Sequence, residues 1–488
     1  MVASISSVRS VSVSTVVPQI PTRQPCVLAL SNFQSYFSFE RYIKQVFYFS
    51  APGSSALKQH DDQEEEEEDQ EQKSPRIDNH DEEEFQRLVC SMRESLSRLL
   101  VPYYPLAGRM RRRERLTTIQ ELHCNDAGVM VVAAMANTAL GDARQCPIEH
   151  ELYPEPRVRD PANAPLLKIQ VTKFQCGGIA VGVLTCENIL DASSSFPFLR
   201  AWGEIHRGLA LGVAPSFDSS VLKPRDPPQV NLPVRDYVVA PPPASTVEAM
   251  AKSSQDAIPD RQRLFHIAPD RVRELVAEVQ RGRFFSSRDE PPPSSFEAIS
   301  AMIWKCVADV KDLDDSESMT YIYALSTKGP KRWSPEIPSH YCGSSAHIPC
   351  LAAPVGEIRK NHISHAAKLL RDDIQSATQE RIQSAIDWME LHLRAGIFVD
   401  DNFPLPRWSG RAINSNSLTA FPIYELDFGW GRPRHFSFVL DAEPGSGAAI
   451  LLPTRDGGRD RHLAIRLPEN QMKKLLEHQF FLKFATPV

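Results

Sequence analysis

The stretch that decides the fold reads Leu167-Lys168-Ile169-Gln170-Val171-Thr172-Lys173, then Gln175-Cys176-Gly177-Gly178, then Ile179-Ala180-Val181-Gly182-Val183-Leu184-Thr185-Cys186, and ends on Glu187-Asn188-Ile189-Leu190-Asp191. In its first part Leu167, Ile169 and Val171 alternate with Lys168, Gln170 and Thr172, the period of a half-buried strand. Gln175 to Gly178 predicts a tight turn. The unbroken apolar run from Ile179 to Cys186 predicts a central strand covered on both faces. Glu187 and Asp191 follow it, four residues apart. Loops at the ends of central strands commonly carry functional groups. Two carboxylates against a core are costly unless solvated, paired or put to use. Just beyond, Ser193 to Ser195 predicts the cap of a helix that turns Leu199, Trp202 and Ile205 inward.

Working outward, Phe85, Leu88, Val89, Met92, Leu96, Leu99 and Leu100 recur at three- and four-residue steps, an amphipathic helix stopped at Val101-Pro102. Before it lies an acidic insertion over 54–84, densest from Asp61 to Asp69 and resumed from Asp81 to Glu84. Like charges this dense repel one another and bury nothing, which predicts a disordered, dispensable loop. The acid-free, Ser- and Val-rich start resembles a transit peptide in composition. The alternation from Val8 to Val17, ended by Pro18, is better read as a strand.

Downstream, the chain turns proline-rich between Ser216 and Pro243, an inter-domain crossover. Helices are predicted over Pro269 to Gly282, Ser295 to Val310 and Glu357 to Thr378, with strands at Phe436 to Leu440 and Ala448 to Leu452. The sum is an α+β chain in two halves of similar size, 1–215 and 247–488, joined by a linker over 216–246.

A chain of 488 residues is long enough for two cores. Its net charge of −6 offers no global basic field for nucleic acid or an anionic membrane. No apolar run approaches a membrane span. The nine cysteines contain no Cys-x-x-Cys pair, so zinc and thioredoxin-like chemistry are unsupported, and buried free thiols in a reducing compartment are expected. His362 and His365, three apart, lack a third ligand at useful spacing and are read as solvent-facing; no metal is expected. There is no glycine-rich phosphate loop, nucleophile elbow or zinc-protease motif.

Asp427-Phe428-Gly429-Trp430-Gly431, with Phe421-Pro422-Ile423-Tyr424 before it and Arg432-Pro433 after it, resembles the signature of the BAHD acyltransferases of plants. Tyr103-Tyr104-Pro105-Leu106-Ala107-Gly108-Arg109, Phe296-Glu297-Ala298 with Ile303-Trp304-Lys305-Cys306, and Pro335 to Pro338 with Tyr341 and Gly343 are similar to other blocks of that family, in the same order. Cys176-Gly177-Gly178 through Ser216-Phe217-Asp218 and Arg225-Asp226-Pro227-Pro228 resembles its hydroxycinnamoyltransferase and spermidine-acylating branch.

The resemblance implies two chloramphenicol-acetyltransferase-like domains with a solvent channel between them. Acyl-CoA would enter as co-substrate from one face and an alcohol or amine acceptor from the other, in a cytoplasmic monomer with no bound cofactor. In the family's His-x-x-x-Asp motif the histidine takes the acceptor's proton. The aspartate is mainly structural and points to an arginine. The Asp427 to Gly431 segment is structural as well, its glycines permitting a tight backbone and its tryptophan anchoring packing.

Here the motif reads Glu187-Asn188-Ile189-Leu190-Asp191, so the aspartate is kept and the histidine is not. Pro330 stands where the partner arginine is expected, with Arg332 as a substitute. Asn416, Leu418 and Ala420 replace the residues that shikimate-acylating relatives carry, which argues against shikimate or quinate as acceptor. The family's Gly-Asn is Gly343-Ser344. Three readings follow. Glu187 is a working base, its carboxyl made more basic by an apolar channel. Alternatively, the protein binds or regulates without acyl transfer. Or the scaffold runs a different, lyase-type chemistry.

Overall fold

The computed structural model describes residues 7–23, 26–36, 42–52, 79–112, 120–141, 146, 148–155, 163–237, 259–285, 291–328, 332–395, 410–440 and 445–488. Most of the acidic insertion, the end of the crossover and Pro330 lie outside them. Two mixed sheets organise the chain, each against its own helices. The first has six strands in the order β1 (Val8–Val16), β6 (Val129–Ala136), β7 (Leu167–Lys173), β8 (Ile179–Cys186), β3 (Tyr42–Phe49) and β15 (His435–Val439). The second has seven: β13 (Cys350–Pro354), β10 (Ser318–Tyr323), β14 (Ala412–Ser417), β16 (Gly447–Pro453), β17 (Arg461–Pro468), β9 (Asp260–Ile267) and β18 (Thr486–Pro487). Among the described residues, a small sheet of β2 (Cys26–Ala29), β5 (Gln120–Cys124) and β4 (Arg109–Arg112) and a two-stranded one of β11 (Leu325–Ser326) and β12 (Ala346–His347) accompany them. No described helix is long and apolar enough to cross a membrane.

The central hairpin forms where the alternation predicts it. β7 and β8 pair antiparallel, Leu167 opposite Thr185 and Lys173 opposite Ile179. β8 is buried along its whole length. β7, expected to be half-buried, is covered on both faces. Lys168 has no exposed surface; its ammonium lies 4.5 Å from the centre of the Tyr42 ring and donates to the Glu155 carbonyl at 3.2 Å. Gln170 donates to the Glu151 carbonyl at 2.7 Å. Polar residues on a strand predict water on that face only when no loop folds over it, and here the segment around Leu152 does.

One strand crosses between the halves. β15, from the second half of the sequence, pairs with β3 in the first sheet, Phe436 opposite Phe47 with their rings 4.9 Å apart. The strand lies in 247–488 by sequence and in the first sheet by pairing. The physical reason is the edge: without β15, β3 would present an unpaired row of backbone groups.

Helix α1 (Asn32–Tyr36) follows β2, and α2 (Asn79–Leu99) covers the first sheet. Asp81 to Glu84, read as part of a disordered run, belong to α2. Carboxylates in a first turn complement the helix dipole, and Lys173 and Arg9 meet Asp81 and Glu82 at 3.4 and 3.1 Å. The predicted helices at 269 and 295 appear as α4 (Pro269–Gln280) and α5 (Ser295–Val310), the latter opened by a capping box of Ser294 and Glu297. The single helix expected over 357–378 is two, α6 (Val355–Lys360) and α7 (Ser364–Ser376). Lys305 explains the break. Its ammonium donates to the carbonyls of Ile358, Arg359 and Asn361 at 3.1, 2.5 and 3.1 Å, ending α6 where a helix would otherwise continue. His362 falls in the gap. It is bonded to Ser364 and Glu278 rather than sharing a helix face with His365.

Candidate active site

The site is built at the end of β8. The Cys186 carbonyl accepts from both Ile189 and Leu190 amides at 3.0 Å, folding residues 187–190 into a tight turn. Asn188 is fully buried and donates to the Gln34 carbonyl at 2.6 Å, tying the turn to α1. Cys186, Asn188, Ile189 and Leu190 are buried; Glu187, between them, is half-buried. The turn therefore presents one carboxylate from a rigid apolar base.

Asp191 has a different task. It is the N-cap of α3 (Ala192–His206), with Oδ1 accepting from the Ser194 amide at 3.0 Å and the Ser193 hydroxyl at 2.7 Å. The cap is thus the aspartate, not one of the serines that follow it. Its Oδ2 reaches into the second half, accepting from the Ser345 amide at 3.1 Å and hydroxyl at 3.3 Å. These four donors satisfy the carboxylate without an arginine. Among the described residues Arg332, the expected substitute, makes no ion pair with Asp191; its guanidinium is pushed down by burial, with Tyr323 as its electrostatic neighbour. The nearby cation is Lys328, which donates to the Tyr341 carbonyl at 2.8 Å and to Ser194 Oγ at 3.5 Å. Ser194 Oγ in turn donates to the Gly343 carbonyl at 3.2 Å. The start of the crossover is fastened here through the backbone, with the Cys342 amide donating to the Ser216 carbonyl at 2.6 Å. Replacing Asp191 by Ala removes a cap and strands the Ser345 amide, so unfolding free energy should fall by about 1–3 kcal/mol in urea titrations.

The Asp427 to Gly431 loop sits at the other end of α3. Asp427 Oδ1 accepts from the Gly429 and Gly431 amides at 2.7 and 3.0 Å. Both glycines have positive φ, 93° and 89°, which a side chain would strain. Phe428 packs edge-on against Trp202 at 4.8 Å and Trp430 against Phe49 at 5.6 Å. A Cβ on Gly203 of α3 would stand 2.6 Å from the Asp427 carbonyl. Twelve residues of α3, Ala192 to Gly203, span the distance from the Asp191 cap to this loop, about 18 Å at 1.5 Å per residue. Asp427→Ala should lower stability by about 1–3 kcal/mol while leaving any turnover per folded molecule unchanged; denaturation and activity assays on one preparation check both.

A charged network beneath the site was not legible in the sequence. The fully buried His347 ring faces Asp236 Oδ2 at 3.3 Å through Nε2 and the Tyr237 hydroxyl at 3.0 Å through Nδ1. Arg381, on α8 (Gln379–Arg394), bridges Asp236 at 2.9 Å and Asp373 at 2.8 Å. Tyr323 donates to Asp373 at 2.7 Å. Phe33 of α1 packs on both Tyr237 and His347, at 6.3 and 6.2 Å between centroids, so the network lies against the helix that holds Asn188.

A cavity of about 630 Å³ is lined by His266, Tyr424, Arg434, His435, Asp460 and His462, among others. His435 pairs with Tyr48, whereas Cys186 pairs with Tyr42 at the opposite end of β3. The cavity is therefore displaced by about 20 Å along the strand from Glu187. Neither candidate catalytic residue lines it.

Residues 79–482 match the Transferase family. The chain is 31% identical over 399 residues to a hydroxycinnamoyltransferase of Narcissus pseudonarcissus, covering 78% of this chain and 85% of that protein. Over 390 residues it is 30% identical to shikimate O-hydroxycinnamoyltransferase of Nicotiana tabacum, with the same coverage of each. Among solved structures, vinorine synthase aligns with a TM-score of 0.68 at 20% identity over 98% of both chains. TRI101 of F. graminearum, in complex with coenzyme A and deoxynivalenol, aligns with a TM-score of 0.70 at 14% identity, over 95% of this chain and 99% of that one. At those identities the structural likeness is one of fold.

Proposed function

Because this chain belongs to the Transferase family, the BAHD acyltransferases, we propose that it transfers an acyl group from acyl-CoA to an alcohol or amine with Glu187 as the general base. The observation that carries the reading is the position of Glu187. It is the half-buried carboxylate at the end of the central strand, four residues before an aspartate that caps α3 and holds the second half through Ser345. In this reading Glu187 opens on a channel between the halves.

The Glu187 carboxylate takes the proton from the acceptor's hydroxyl or amine as its lone pair attacks the thioester carbonyl carbon. The tetrahedral intermediate collapses with cleavage of the carbon–sulfur bond. The CoA thiolate leaves and recovers the proton from the Glu187 carboxyl. Asp191 touches neither substrate. It positions the turn by fixing the start of α3 and the Gly343 to Ser345 segment.

The names of the similar proteins, hydroxycinnamoyltransferases and anthranilate N-benzoyltransferases, favour an aromatic acyl donor. The Asn416 side-chain carbonyl is taken up by the Ala324 amide at 2.7 Å, and Leu418 is buried. Both facts favour an acceptor other than shikimate. The test is release of free CoA on mixing the purified protein with hydroxycinnamoyl-, benzoyl- and acetyl-CoA and a panel of alcohols and amines, with acylated product identified by mass. Acceptor-dependent CoA release is expected with an aromatic donor. Acceptor conversion without CoA release would instead support lyase-type chemistry, and binding without any conversion would support a non-catalytic role.

A further inference from the structure

We propose that Cys26 and Cys124 form a reversible disulfide that fastens β2 to β5, making this pair a redox modification site. The two residues are direct cross-strand partners in antiparallel register. Directly opposed residues share a face, with Cα atoms about 4.5–5.5 Å apart, inside the window of about 4.4–6.8 Å that a disulfide spans. The shared face is the inner one. Cys124 and its neighbour Leu122 are buried in the first core, and Cys26 and Leu28 pack against it while Val27 and Ala29 point outward. Cys26 remains partly accessible and Cys124 does not, which gives the pair an entry thiol and a resolving thiol. Burial first, and then the adjacent Cys26 thiol, push the Cys124 thiol upward; burial and the same two thiols push the Tyr104 phenol up to about 12.

The chemistry is thiol–disulfide exchange. The Cys26 thiolate attacks a low-molecular-weight disulfide such as oxidised glutathione, breaking its S–S bond and releasing one thiolate. The Cys124 thiol then gives its proton to the first leaving thiolate as its sulfur attacks Sγ of Cys26, forms the intramolecular bond and expels the second thiolate. Two protein thiols are oxidised, one small disulfide is reduced to two thiols, and the two protein protons pass to the leaving thiolates. The consequence is local to the site. β2 runs directly into α1, whose Gln34 carbonyl anchors Asn188 of the turn that carries Glu187. A bond at Cys26 fixes the strand that feeds that anchor.

The full-length reduced protein is incubated with oxidised glutathione, denatured, alkylated and mapped by mass spectrometry. Of the nine thiols, two should be lost to alkylation, and a Cys26–Cys124 cross-linked peptide should appear and vanish after dithiothreitol. Cys26→Ser, at the more accessible position, should retain all eight of its remaining thiols (nine minus one). Its far-ultraviolet circular dichroism, unchanged from wild type, separates this outcome from unfolding. Persistence of nine free thiols, oxidation that stops at a glutathione adduct on Cys26, or cross-links that join other cysteines equally would each overturn the proposal.

Discussion

Glu187→Gln should lower acceptor-dependent CoA release by at least about a hundredfold, the low end of what a positioned general base contributes. The amide occupies the same volume and still accepts a hydrogen bond, but it cannot take a proton at neutral pH. Because the turn at 187–190 is held by the Ile189 and Leu190 amides donating to the Cys186 carbonyl and by Asn188 on Gln34, the fold should not change, and melting temperatures of the two proteins should agree closely. The loss should appear in kcat rather than in KM, the pattern for a group whose interaction is made only in the transition state. Glu187→His supplies the informative contrast. It places an imidazole at the end of β8, on a scaffold whose Asp191 is already fully bonded by Ser193, Ser194 and Ser345. Activity in the histidine variant alone would mark the chain as a transferase scaffold that has lost its reaction. Equal activity of wild type and Glu187→Gln would remove Glu187 from the mechanism.

The second large effect concerns stability. Asp236→Ala should destabilise the protein by about 3–5 kcal/mol, the range for breaking a buried ion pair from one side. Asp236 is 3% exposed, accepts from Arg381 and from the Cys350 amide at 3.1 Å, and faces His347 Nε2 at 3.3 Å. Without it Arg381 keeps Asp373, but His347 has no exposed surface and loses its carboxylate. Asp236→Asn should cost less, because the amide can still accept from Arg381. The network also carries a pH signature. Burial pushes the Asp236 carboxyl up, but His347, Arg381 and the Cys350 amide outweigh it and hold the group below its ordinary value. A depressed folded-state pKa contributes stability above the unfolded pKa and loses it as pH falls through the folded one. Denaturant midpoints measured from neutral pH into acid should therefore fall more steeply for wild type than for Asp236→Ala. Parallel curves would show that Asp236 does not carry this linkage.

The hairpin around Gly177, the helix over Phe85 to Leu100 and the helix from Ser295 to Val310 were legible in the sequence because each is local. Their hydrophobic periods, turns and caps lie within a few residues of one another. The order of family blocks was equally legible, since it is a matter of residue identity, and so was the placing of Glu187 four residues before Asp191. Tertiary structure decided what depends on partners distant in the chain. Lys168 reads as a solvent-facing residue until the 149–155 segment covers it. β15 reads as a strand of the second half until the open edge of β3 claims it. The single helix expected after Glu357 is interrupted by a lysine about fifty residues upstream. The cation that accompanies Asp191 is Lys328 acting through Ser194, and the carboxylate itself is satisfied by serines from both halves. Periodicity encodes which face of an element is apolar, but the partner that meets a charge, a sheet edge or a free carbonyl is chosen by packing. Composition and spacing carry no term for that choice.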